Sequence, residues 1–234
     1  MDESSAKNLM KNLVKKIAST GFTLIELLVV MAIIAILVSI ALPVFVGILE
    51  RGQQTKDLSN AKQIGLGLKL YAGDNDGKFP ANLLNPTGSN PEFAQLIPTY
   101  IPTEKIFYLA KSAWTPKLPD EVFTDSQTTL AAGENNFAYV NALTDTSNPN
   151  YPIIADGFAS GTPGTYTSDE TAKGGVWKGK KAIVIRCDMS GAVEVCNTAY
   201  KVFGQTDQFA SADIFQSTAT WLSSLQVPLN PQSQ

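Results

Sequence analysis

The sequence predicts an α+β fold: a long N-terminal α-helix, transmembrane over its first half, packed on a globular head with a small antiparallel β-sheet. Three observations carry this. Residues 27–49 contain no charged side chain. Leu58, Ala61, Ile64, Leu68 and Tyr71 then recur at three- or four-residue spacing, the period of one helix face. Two short apolar runs at 182–187 and 192–196 flank Asp188-Met189-Ser190-Gly191, the pattern of a hairpin.

The uncharged run is dominated by Leu, Ile, Val, Ala and Met. As a helix it covers ~35 Å, enough for a ~30 Å hydrocarbon core. Ahead of it Lys7, Lys11, Lys15 and Lys16 outnumber Asp2 and Glu3, so the N-terminus is expected in the cytoplasm and everything after Leu49 outside it. A secretory signal peptide would have a shorter apolar core of ~7–15 residues with its cleavage site behind it. Here the attractive cleavage site, Gly21, lies in front. A simple anchor fits the length but leaves Glu26 unexplained, because an unpaired carboxylate in lipid costs ~2.5–3.5 kcal/mol or more. Snorkelling of Glu26 to the headgroups is the plainer alternative. A soluble core helix would show an apolar stripe rather than apolar residues all round.

Pro43 and Gly47 interrupt the run, and a kink or locally unwound segment is expected at Pro43. Beyond it Arg51, Gln54, Lys56, Asp57, Lys62 and Lys69 are read as the wet face of the amphipathic half. Gly65 and Gly67 each cost up to ~1 kcal/mol against Ala in a helix, which points to close approach of the head. Gly73 is expected to cap the end.

Gly21-Phe22-Thr23-Leu24-Ile25-Glu26 resembles, residue for residue, the processing segment of type IV prepilins and type II secretion pseudopilins. The resemblance is strong over about residues 7–80 and piecemeal beyond. It implies a pilin-like fold with a leader at 1–21, a long helix at 22–73 with a transmembrane half at 27–49, and an exported head at 74–234. It further implies cleavage by prepilin peptidase between Gly21 and Phe22, N-methylation of Phe22, and assembly through Glu26 and the helix around Pro43. Cleavage frees an amine on Phe22 in an apolar environment, and Glu26 of one subunit can neutralise that amine on its neighbour. A subunit in the wrong axial register leaves both charges unpaired, so Glu26 acts as a register device. The implied partners are copies of the same chain in a filament, related pilin-like subunits, the peptidase, and an inner-membrane assembly machinery. The implied location is the bacterial inner membrane, single-pass with a periplasmic head, and then a periplasmic or extracellular filament.

Gly73-Asp74-Asn75-Asp76-Gly77 offers acidic side chains at alternate positions, as in the opening of a calcium loop. Asp74 and Asp76 are therefore candidate calcium ligands, although the closing glutamate of such a loop is absent. The blander reading is a helix stop and turn, which wants the same residues. Residues 71–80 also resemble the helix exit of the major pseudopilin. That family's calcium site lies in a later loop, and its ligands do not map here.

Residues 81–181 read as a loop-heavy head with apolar islands at 93–101, 105–110, 136–140 and 151–155, and a short helix near 91–97. The Ala155-Asp156-Gly157 step and residues 161–175 are expected in an exposed loop. In the hairpin, a three-residue loop with Gly191 left-handed pairs Arg186 with Glu194, Ile185 with Val195 and Cys187 with Val193. That puts Cys187 and Cys196 on opposite faces and disfavours a disulfide, whereas a two-residue Gly191-Ala192 turn would bring them opposite. Residues 211–225 are read as a late helix, with Pro228 and Pro231 ending the order.

The chain is 234 residues long with a net charge of -3 and no histidine, which removes Ser-His-Asp and Cys-His nucleophile systems and histidine metal sites. Two cysteines make no zinc ribbon, no phosphate-binding glycine loop is present, and the acidic balance argues against nucleic acid. The expectation is a structural subunit of a pseudopilus or pilus, not an enzyme, with no cofactor beyond possible Ca2+. The competing reading is a membrane-anchored binding protein that never polymerises and holds a ligand with its head.

Overall fold

The structure is a computed structural model and describes residues 22–82, 87–125, 128–204, 213–216 and 226–233. The leader, Gly21 included, lies outside the described residues, as does the expected late helix apart from 213–216. The chain forms two compact units, Met1–Arg51 and Gly52–Gln234.

In the first unit, helix α1 begins; it is assigned over Leu24–Asp74. Of residues 22–49, all are exposed except the half-exposed Ala41. The helical pattern continues through Pro43, so the unwound segment expected there is not found.

The second unit takes in the rest of α1, and here the helix has a defined inner face. Ala61, Ile64, Leu68 and Ala72 are buried, with Leu58 and Tyr71 packed beside them. The same face extends back through Asp57 and Gln54, both buried, which corrects their placement on the wet face. Positions 54, 57, 61, 64 and 68 share one helical phase, and phase prevailed over polarity. A Cβ on Gly65 would lie 2.9 Å from Met189 Sδ, and one on Gly67 2.8 Å from Ile101 side-chain carbons, so both glycines admit the head closely. Gly73 does not cap: the helix runs one residue further. Asp76 and Gly77 turn left-handed (φ 53° and 75°), Gly77 N donates to Ala72 O (2.8 Å), and Asn75 Nδ2 donates to Tyr71 O (2.8 Å). Together they satisfy the last carbonyls, as αL-type helix ends do.

The head carries a short helix α2 (Asn90–Ala94), a 3-10 turn (Glu104–Phe107) and one antiparallel five-stranded sheet. Its strands are β1 (Phe137–Val140), β2 (Pro152–Asp156), β3 (Lys181–Arg186), β4 (Gly191–Val195) and β5 (Pro228–Leu229), in the order β4-β3-β2-β1-β5. Residue Pro228, expected to end the order, instead opens the edge strand, where its missing N–H is tolerated; it faces Val140. Strands β1 and β2 are buried along their whole length, which is why their sequences lack polar alternation.

The hairpin forms with a different register. Ile185 pairs with Gly191, Ile183 with Val193 and Lys181 with Val195, four residues along β4 from the expected pairing. Met189 N donates to Arg186 O (2.8 Å) and Arg186 N to Ser190 O (2.9 Å), so the loop is residues 187–189. Met189, not Gly191, takes the left-handed place (φ 63°). Gly191 is bare for packing: a Cβ there would collide with Ile185 Cδ1 and lie 3.1 Å from Lys62 Cε. An even shift keeps every side chain on its expected face, and Arg186 Nη2 still meets Glu194 Oε1 at 2.7 Å. Cys187 sits in the turn and Cys196 beyond Val195 at the open end. Five paired positions, ~17 Å of strand, separate them, well beyond the ~7 Å Cα limit of a disulfide. Both are buried free thiols, and burial pushes each up to about 12.

Candidate functional site

At the N-terminal end of α1 the local chemistry is a reciprocal cap. Thr23 precedes the first helical residue, and Glu26 N donates to Thr23 Oγ1 at 3.2 Å. Glu26 Oε2 accepts from Thr23 N (2.9 Å) and from Thr23 Oγ1 (2.8 Å). This Thr-x-x-Glu box satisfies backbone donors that the helix itself leaves over. Sequence reasoning missed it, although the three-residue spacing is its signature. Both bonds fall on Oε2, and no hydrogen bond to Oε1 is found among the described residues. Glu26 is the one charged residue in 22–49, and behind it lies an exposed apolar surface long enough to cross a membrane. Such a surface is stable only in lipid or against other apolar helices.

At the other end of α1, Asp74 and Asp76 are both exposed and stand on either side of the helix terminus. Asp74 Oδ2 accepts from Tyr100 Oη at 3.0 Å, which pushes the Tyr100 phenol up, and Tyr100 meets Tyr71 edge-on with centroids 5.6 Å apart. Both acids line a cleft of about 710 Å³ together with Tyr71, Lys78, Phe79 and Gln95. They do not join a third carboxylate in a group with metal-ligand spacing among the described residues.

The group that does form is Glu104, Asp120 and Glu134, with one oxygen from each within 4.8 Å of the others. Lys117 Nζ supplies the countercharge, 2.6 Å from Glu134 and 3.5 Å from Asp120. Glu104 spends its carboxylate on two backbone donors, Leu130 N (2.8 Å) and Glu121 N (3.1 Å). The cluster therefore works as a loop staple around a lysine. No spacing in the sequence announces it, because its members come from three separate segments, the 3-10 turn and two loops.

The step at 155–157 is the reverse of the exposed loop expected. Asp156 is fully buried at the end of β2, and its carboxylate accepts from Ile183 N (2.7 Å), Trp177 Nε1 (2.8 Å) and Asn136 Nδ2 (3.1 Å). A Cβ on Gly157 would lie 2.7 Å from Trp114 Nε1, so the glycine makes room for that indole. Residues 161–175 are mixed in exposure, with Gly164 and Gly175 buried.

Residues 18–42 match the family model described as the prokaryotic N-terminal methylation motif. The match covers the Gly21-Phe22 step and Glu26 and stops one residue before Pro43. No solved structure matches the chain. The N-terminal segment is thus of the prepilin type, and the apolar helix that follows is of a kind that anchors a pilin-like protein in a membrane.

Proposed function

We propose that this chain is a non-enzymatic structural subunit of a type II secretion pseudopilus or a type IV pilus. Prepilin peptidase cleaves it between Gly21 and Phe22 and methylates Phe22, and copies assemble through the N-terminal helix with the head on the periplasmic side. The observation that carries this reading is the pairing of a methylation motif with 23 consecutive uncharged residues whose only charged neighbour in the helix start is Glu26. Glu26 Oε1, without a hydrogen bond among the described residues, supports a role toward the freed amine of a neighbouring Phe22. The cap to Thr23 would hold that carboxylate at the helix start, where the amine arrives.

The N-terminal peptide mass of protein from its native membrane tests processing. N-methyl-Phe22 is expected, and an intact Met1 with the peptidase present would overturn the proposal. Assembly is tested separately by Glu26→Ala. Filaments should be lost while the protein stays folded and membrane-bound, and retained filaments would remove Glu26 as the register device.

A further inference from the structure

Within the second unit, one buried acid has no donor to satisfy it. Asp57, on the inner face of α1, is 1% exposed, and neither Oδ1 nor Oδ2 receives a hydrogen from any N–H or O–H among the described residues. The group it faces is the Asp156 carboxyl, itself 0% exposed. Asp156 already accepts from Ile183 N, Trp177 Nε1 and Asn136 Nδ2, which leaves one of the about four acceptor sites of a carboxylate for a further donor. Two carboxylates cannot bond one another without a proton between them, and burying both as anions is prohibitively costly. The donors decide which carboxyl keeps the charge: Asp156 has three, Asp57 none.

We propose that Asp57 and Asp156 form a buried acid pair holding one proton, with Asp57 as the O–H donor, and that this proton is a pH-sensitive lock between helix α1 and strand β2.

The surrounding groups agree with that division. Among the described residues Lys56, on the same helix, favours charge on Asp57, and its effect ranks below burial and below the Asp156 charge, which hold the carboxyl well above the ordinary aspartate range. From β3, Lys181 Nζ is engaged with Gln54 Oε1 (3.2 Å), one turn before Asp57. The Tyr166 phenol donates to the Asp156 backbone carbonyl (3.4 Å), and both it and the Cys196 thiol are pushed up in part by the Asp156 charge. A cation in place of the proton would sit against three N–H donors already directed at Asp156.

The sign follows from proton linkage. Between the unfolded aspartate range, ~4, and the raised value in the folded pair, the native chain holds a proton that the unfolded chain has released. Stability from the pair is therefore full at low pH and lost as pH rises, by about tenfold in the unfolding constant per pH unit across that window.

The test is urea unfolding of the full chain in detergent from pH 4 to 9, followed by tryptophan fluorescence, since Trp177 touches the pair. Asp57→Asn keeps a donor facing Asp156 without a titrating proton. The wild-type unfolding constant, divided by that of Asp57→Asn, should climb about tenfold per pH unit through the window, with the variant the more stable at neutral pH. A flat ratio would overturn the proposal. Infrared difference spectroscopy is an independent readout: a protonated-carboxyl C=O band at a pH above the ordinary aspartate range, present in the wild type and absent in Asp57→Asn, is expected, and no such difference would equally overturn the proposal. A stability change on adding calcium or chelator, present in wild type and absent in Asp57→Asn, would reassign the pair to a metal.

Discussion

Over residues 24–49 helix α1 carries apolar side chains on every side and leaves nearly all of them exposed, whereas from Gly52 to Asp74 it buries one stripe and leaves polar residues outside. The two stretches share a backbone pattern but face different solvents. The first has no inner face because any side must meet lipid or a neighbouring helix; the second has one because the head covers it. Apolar content alone therefore does not mark a core: Ile36 and Ile64 are the same residue type with opposite burial.

Substitution should separate the stretches most sharply at equivalent apolar positions. Leu68→Ala removes a fully buried side chain and should cost the head ~2–5 kcal/mol in chemical denaturation, while Ile36→Ala should leave head stability within ~0.5 kcal/mol. An equal loss from both would erase the distinction. Close packing comes next: Gly67→Ala should cost ~1–3 kcal/mol, because its Cβ would meet the branched Ile101 side chain. Gly65→Ala should cost less, since the atom in the way is the end of the flexible Met189 side chain. Glu26→Ala should loosen the start of α1, seen as faster amide exchange in residues 24–27 with the head's exchange unchanged. The smallest effect is expected at Leu66, exposed on the outer side of the head's stretch of helix: Leu66→Ala should shift unfolding of the unassembled protein by no more than ~0.5 kcal/mol.

The sequence disclosed the parts whose signal is local and periodic. The uncharged run, the 61-64-68 face, the hairpin strands near 183 and 193, and the processing segment could all be read there, while the strands near 137 and 153 showed only as apolar islands. It misled where a polar residue occupies a buried position through partners far along the chain. Asp57 looked wet because aspartate usually is, and Asp156-Gly157 looked like an exposed loop because Asp-Gly usually is; Asp57 answers to Asp156, about a hundred residues on, and Asp156 to donors 20, 21 and 27 residues away. The hairpin register failed for a different reason. The turn took Met189 as its left-handed residue because Gly191 was already committed to packing against Ile185 and the helix, a tertiary demand that overrode the local turn preference. Glu104, Asp120 and Glu134 converge only when their loops are folded.

Strand β5 lies beside β1, so Tyr139 waits for Leu229, some ninety residues later in the chain. While the chain is being synthesised, the outer margin of β1 has bare backbone donors and acceptors until residues 228–229 arrive. For that interval the fold has a vectorial weakness, an unsealed and fully apolar strand that another emerging copy could pair with. Any delay in the arrival of residues 228–229 would therefore raise misassembly without altering a single contact in the finished molecule.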